Sequence, residues 1–215
     1  LAREPDGSVT LVGQGGLSDP GHFAQDILLV RLRPDGRFDP SFGVEGVLQT
    51  DLGTILESGS AGARQQDGKL VVGGTRGLDR QIVALRYEPD GRLDTEFGTS
   101  GVAILELPDV VWEYPLDVVV QANGPMVVAG SSYSTTTQWD MLVLRLTPDG
   151  QPDSRFGDQG RTVVNLDPNG DDSVRALAMH PDGAIVAAIQ SHWSHGVARM
   201  LNDPGYPSHL WLPAL

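Results

Sequence analysis

Four short apolar runs recur along the chain at a nearly constant interval, at residues 9–13, 70–74, 126–130 and 185–189. Each follows a tight-turn dipeptide: Asp6-Gly7, Asp67-Gly68, Asn123-Gly124 and Asp182-Gly183, spaced 61, 56 and 59 residues apart. Asp-Gly and Asn-Gly suit the positive φ of a type I′ turn, so each pair predicts a hairpin with the strand before it. That preceding strand is clearest at residues 117–121 and 175–179. A third strand follows at 27–32, 82–87, 141–146 and, more weakly, 197–201, and a fourth at 47–52, 102–107 and 162–166. Nothing of about ten residues carries a helical period.

Between the third and fourth strands a longer motif repeats three times, at residues 31–46, 86–101 and 145–160. It reads Arg, a Pro-Asp-Gly turn, an Asp, Phe-Gly and a further Gly. Proline at the first central position with glycine after it suits a type I turn followed by a bulge. Repeats of 55–60 residues with four antiparallel strands each describe the blades of a β-propeller. A solenoid of stacked sheets is the alternative. The propeller better explains strands that lose polar alternation, such as valines 118–120 and 127–128, because blades bury their inner strands on both faces.

The expected fold is therefore all-β, one propeller-type domain over residues 1–215 with units at about 1–57, 58–114, 115–172 and 173–215. The first unit opens at the end of its first strand. The last has three strands and then a proline-interrupted tail, so both are incomplete. Three arrangements stay open: a four-bladed ring using the tail, a piece of a larger ring, or a homo-oligomer in which a second copy completes the ring. The off-pattern tail favours incompleteness.

Composition narrows the partners. Twenty-eight acids against 15 bases give a net charge of −13, which disfavours nucleic acid and anionic membrane surfaces. There is no cysteine and no apolar run long enough to span a bilayer, so neither disulfides nor insertion through a helix is expected.

The repeated polar residues carry the candidate chemistry. Arg31 and Asp39, Arg86 and Asp94, and Arg145 and Asp153 are each eight apart across the turn, spaced for a bidentate ion pair. Recurrence in every copy points to a structural clasp rather than a ligand contact. The phenylalanines at 42, 97 and 156 read as wedges between sheets. Glu57, Glu113 and Asp172 fall in the connection to the next unit's first strand. There they either ring a channel mouth and bind a cation, or are solvated loop acids or caps for backbone N–H groups. Asp167, Asn169 and Asp171, alternating with a glycine nearby, resemble the front half of a calcium loop without its remote glutamate, and also make an ordinary turn. His192 and His195 flank Trp193, and with Tyr133 and Trp139 they suggest an aromatic loop surface for a sugar or protein side chain. No nucleophile elbow, phosphate loop or dinucleotide fingerprint is present.

The unit as a whole, with residues 67–74, 86–101 and 145–160 as its best copies, resembles the delta-60 repeat family of bacterial proteins. The resemblance implies a propeller-like fold and a secreted or cell-surface location. It implies no shared catalytic residues. The function expected is a non-catalytic binding or scaffold module for a protein or glycan partner, without a cofactor unless calcium serves. The alternatives are a propeller hydrolase or lyase acting on polysaccharide through an Asp/Glu/His site at a central channel, and a purely structural surface protein.

Overall fold

The chain folds as antiparallel sheets in a computed structural model that describes residues 1–16, 25–106, 110–122, 124–167, 170–191 and 194–200. It divides into two compact units, Leu1–Glu106 and Leu107–Leu215. In the first unit, β1 (Ala2–Arg3), β2 (Val9–Gly15), β3 (Asp26–Leu32) and β4 (Val47–Thr50) form one sheet in sequence order. A second sheet is built from β5 (Glu57–Arg64), β6 (Leu70–Arg76), β7 (Gln81–Tyr87) and β8 (Val102–Leu105). The second unit repeats the plan with β9 (Trp112–Val120), β10 (Met126–Ser134), β11 (Gln138–Leu146) and β12 (Arg161–Val164). Its other sheet has three strands among the described residues, β13 (Asp172–Met179), β14 (Ile185–Ser191) and β15 (Ser194–Met200). The tail, residues 201–215, lies outside the described residues.

Each unit has its own core. In the first, Ile27 and Leu29 of one sheet meet Val72, Val83, Leu85 and Tyr87 of the other. In the second, Val127, Ala129, Met141 and Val143 meet Ile185, Ala187, Ile189 and Ala198. The valine, leucine, isoleucine and methionine side chains buried to this degree are worth about 1.5–3 kcal/mol each. Loss of alternation marks β6, β7, β10 and β11, whose residues are buried in unbroken runs. The valines at 118–120 differ from expectation: Val118 is buried, but the other two are only partly covered, because β9 is the first strand of its sheet.

The Asp-Gly hairpins close differently from the predicted type I′ turn. Gly68 N–H donates to the Gln65 carbonyl and Gln65 N–H to the Lys69 carbonyl. Only the glycine has positive φ, +91° at Gly68, whereas a type I′ turn needs it at both central residues. The aspartate stays right-handed because its carboxylate accepts the N–H two residues on, from Lys69 at 3.0 Å onto Asp67 and from Ala184 at 3.0 Å onto Asp182. The first two Pro-Asp-Gly turns use the same device, with Arg37 N–H on Asp35 and Arg92 N–H on Asp90, both at 3.0 Å, whereas at the third Gln151 N–H donates to the Thr147 hydroxyl. At Asp182 the Ala184 N–H, then His180, draw the pKa down to about 2.

The Arg–Asp pairs form clasps. Arg Nε to Asp Oδ2 is 3.2 Å at Arg31–Asp39, 2.6 Å at Arg86–Asp94 and 3.0 Å at Arg145–Asp153. Each guanidinium also lies over its repeat's phenylalanine, at 5.6, 4.8 and 4.8 Å from the ring centroids of Phe42, Phe97 and Phe156. All three phenylalanines are buried, as a wedge between sheets requires. Arg199 lacks the corresponding aspartate and pairs with Asp182 instead.

Candidate functional site

In the second unit a cavity of about 310 Å³ opens between one face of the β9–β12 sheet and the start of β13. Tyr114, Leu116, Ser131 and Trp139 line one side, and Asp171, Asp172, Ser173 and Arg175 the other. Strand register explains the aromatic wall. Tyr114 pairs with Ser131, and Tyr133 pairs with Trp139, so the period of two puts all four on one face. Trp139 packs against both tyrosines, 5.2 Å from Tyr114 at 56° and 5.3 Å from Tyr133 at 57°. Such tilted pairs favour the ring quadrupoles. Tyr114 is 36% exposed, and Tyr133 and Trp139 are half-buried. Tyr133 and Trp139 thus stand on strands rather than on the expected loop, because the β10–β11 hairpin continues to Ser134 and Gln138.

Two β-bulges shape the opposite corners. Leu116 is skipped in the pairing of β9 with β10, and Arg175 in that of β13 with β14, and both line the cavity. Bulges re-aim side chains in this way beside functional sites. At the first bulge, a Cβ on Gly130 would overlap the Tyr114 carbonyl oxygen, so only glycine lets β9 lie this close. Arg175 Nε donates to Gln190 Oε1 at 2.9 Å.

Asp172 is fully buried at the start of β13. Its Oδ2 accepts the N–H groups of Leu166 and, at 3.1 Å, of Asp167. Its Oδ1 is buried without a hydrogen-bond partner among the described residues. Glu57, the equivalent in the first unit, uses both oxygens: Oε2 accepts Leu52 N–H at 2.7 Å, and Oε1 accepts Thr54 N–H and hydroxyl at 2.8 and 2.9 Å. Aspartate is one methylene shorter, and Asp172 receives its two N–H groups on a single oxygen. Glu57 and Asp172 open β5 and β13, and Glu113 is the second residue of β9, so the three acids sit on buried strand starts instead of in connecting loops.

The carboxylate grouping suited to a metal among the described residues is Asp26, Asp51 and Glu57, with one oxygen of each within 4.8 Å of the others. Oxygen donors of this kind suit a hard divalent cation. Each carboxylate already accepts a hydrogen bond: Asp26 from the Gln49 amide, Asp51 from Gly53 N–H at 2.6 Å, and Glu57 as above. At the corresponding places in the second unit, the Asn165 amide donates to Asp140 at 2.8 Å. Sequence reasoning missed Asp26 and Asp51; the available signal was that Asp26 and Asp140 both lie five residues before a clasp arginine. Among the described residues Asp167 and Asp171 do not join Asp172 in a comparable grouping, and Asn169 lies outside the described residues. His192 and Trp193 also lie outside them. His195 is exposed on β15, opposite Gln190. A histidine–carboxylate pair does occur at His180 and Asp182, 2.7 Å apart, but it belongs to the exposed β13–β14 turn.

A family model described as "Domain of unknown function (DUF5122) beta-propeller" matches residues 4–42, 65–97 and 121–156, together half of the chain. No curated protein matches. Among solved structures, a protein of unknown function from Bacteroides caccae is similar at 13% identity and TM-score 0.48, over 86% of this chain and 55% of that one. A gluconolactonase from Xanthomonas campestris is similar at 14% identity and TM-score 0.44, over 88% and 52%. Puromycin hydrolase is similar at 16% identity and TM-score 0.31, over 92% and 33%. The chain thus spans about half the length of the first two.

Proposed function

The chain belongs to the DUF5122 beta-propeller family, and on that premise we propose that it is a non-catalytic binding module whose aromatic cavity takes a glycan. The observation that carries this reading is Trp139 held between Tyr114 and Tyr133 on one sheet face with Ser131, across from polar Asp171, Ser173 and Arg175. Tilted, half-exposed rings match the apolar C–H face of a pyranose. Hydroxyl and carboxylate groups opposite match its hydroxyls. A cavity of about 310 Å³ falls at the lower end of small-ligand sites. A protein partner would instead need a contact of roughly 800 Å² on each side. The delta-60 repeat assignment, closure of the blades into a ring, and a secreted or cell-surface location belong to the same proposal.

The test is titration of the whole chain with a panel of oligosaccharides, followed by calorimetry and tryptophan fluorescence. Trp139→Ala is expected to weaken binding roughly 30-fold, the loss of one aromatic anchor of about 2 kcal/mol. Product analysis after long incubation should show the sugars intact. A panel in which no glycan binds overturns the reading.

A further inference from the structure

We infer that the ligand of this cavity carries a protonated amine. Within the glycan reading, on which this inference rests, the sugar is then a hexosamine with a free amino group. The decisive feature is Asp172, fully buried, with Oδ1 lacking a partner among the described residues while Oδ2 is held by two backbone N–H groups. A buried carboxylate oxygen left unpaired is a standing cost that a ligand donor would remove. Because the same carboxylate position in the first unit is saturated by Leu52 and Thr54, the vacancy is particular to this site and not a property of the repeat.

A hydroxyl could also donate to Asp172. Two further observations select a cation. First, the lining charges are Asp171 and Asp172 against Arg175, a net of −1, within a chain of net charge −13. That field attracts an ammonium and repels a uronic acid carboxylate. Arg175 is also engaged through its Nε by Gln190 on β14. Second, the wall opposite the acids is aromatic, and tryptophan offers the best face for a cation. An ammonium has three donors and no acceptor, so it can meet Asp172 and Asp171 while its carbon frame lies on Trp139. A hydrogen bond from a charged donor is about twice as strong as one from a neutral hydroxyl. N-acetylation would remove the charge and two of the donors.

The experiment compares three tetramers of equal length on the full chain at low salt: β-1,4-linked glucosamine, its fully N-acetylated counterpart, and the glucose tetramer. The glucosamine tetramer is expected to bind at least about tenfold more tightly than the other two. Raising the pH above the pKa of the sugar amine should abolish that advantage. Asp172→Asn should do the same. Asp172 also holds two loop N–H groups, so Asp171→Asn, at an exposed carboxylate, is the second variant and should reduce the preference without changing the unfolding midpoint. Equal affinity for all three tetramers overturns the amine and leaves the glycan reading standing. No binding of any tetramer also overturns the amine, and the wider saccharide panel then judges the glycan reading separately.

Discussion

Asp94 shows how a single residue organises a repeat. It is 3% exposed, yet it receives Lys69 Nζ at 2.7 Å, Arg86 Nε at 2.6 Å and Glu96 N–H at 3.1 Å. Burial alone would raise its pKa; the bonds from Lys69, Glu96 and Arg86 outweigh that and hold it below the ordinary carboxylate value. Asp153 follows the same rule: burial raises, and Arg155 and Arg145 more than compensate. A carboxyl whose folded pKa lies below its unfolded one stabilises the fold at neutral pH and loses that contribution as pH falls through the folded value, below about pH 4. Denaturant midpoints measured from pH 7 down to pH 2 should therefore fall most steeply below about pH 4. Asp94→Asn removes the buried carboxylate that Lys69 and Arg86 share and is expected to cost roughly 3–5 kcal/mol in urea unfolding at pH 7. Asp90→Asn, at an exposed turn in the same repeat, should cost no more than about 1 kcal/mol by the same assay.

At the scale of elements, the first strands of the sheets do the positioning. The bulge in β9 sets Tyr114 against Trp139, and it depends on the close approach of β9 to Gly130. Gly130→Ala places a methyl on the Tyr114 carbonyl and is expected to destabilise by roughly 1–3 kcal/mol. It should also weaken saccharide binding, since the ring that moves is part of the site. Gly13, mid-strand in β2, has nothing within 4 Å of an added Cβ. Gly13→Ala should leave the melting temperature unchanged or slightly raised. Were the two variants equally mild, the bulge would not be what holds the aromatic wall. The second and third strands, by contrast, supply most of the core, and the hairpin they form in the third sheet also brings Tyr133 and Trp139 to the site.

For the whole molecule the governing quantity is charge. A net −13 on 215 residues gives a field felt by any cationic ligand before contact. If the amine inference holds, the association rate of the glucosamine tetramer should drop severalfold in stopped-flow fluorescence as ionic strength rises from about 0.01 to 0.15 M, where the Debye length shrinks from about 30 to 8 Å. The glucose tetramer, being neutral, should show no such dependence. The same acidity shapes the repeat: the three clasps commit Arg31, Arg86 and Arg145 to internal pairing and leave the acids in excess outside it.

What the sequence determined by itself was everything local. The strands, their order within a unit, the two turns per unit and the Arg–Asp–Phe clasp follow from period, alternation and short spacings, and the chain folds them as written. Even there the turn type was hidden, since Asp-Gly serves two turn families and the carboxylate's bond to the N–H two residues on decides between them. The site was legible only in pieces. Tyr133, Trp139 and Asp172 were visible as aromatic or acidic residues near strand ends, whereas Tyr114 and Arg175 were not. Tyr114 and Trp139 are 25 residues apart, and only the pairing of three strands makes them neighbours. A bulge is a mismatch between two strands, so neither strand's sequence announces it. Likewise, whether a buried carboxylate is satisfied depends on where folded backbone N–H groups end up. Glu57 and Asp172 look interchangeable as letters, and the tertiary structure saturates one and leaves an oxygen of the other free.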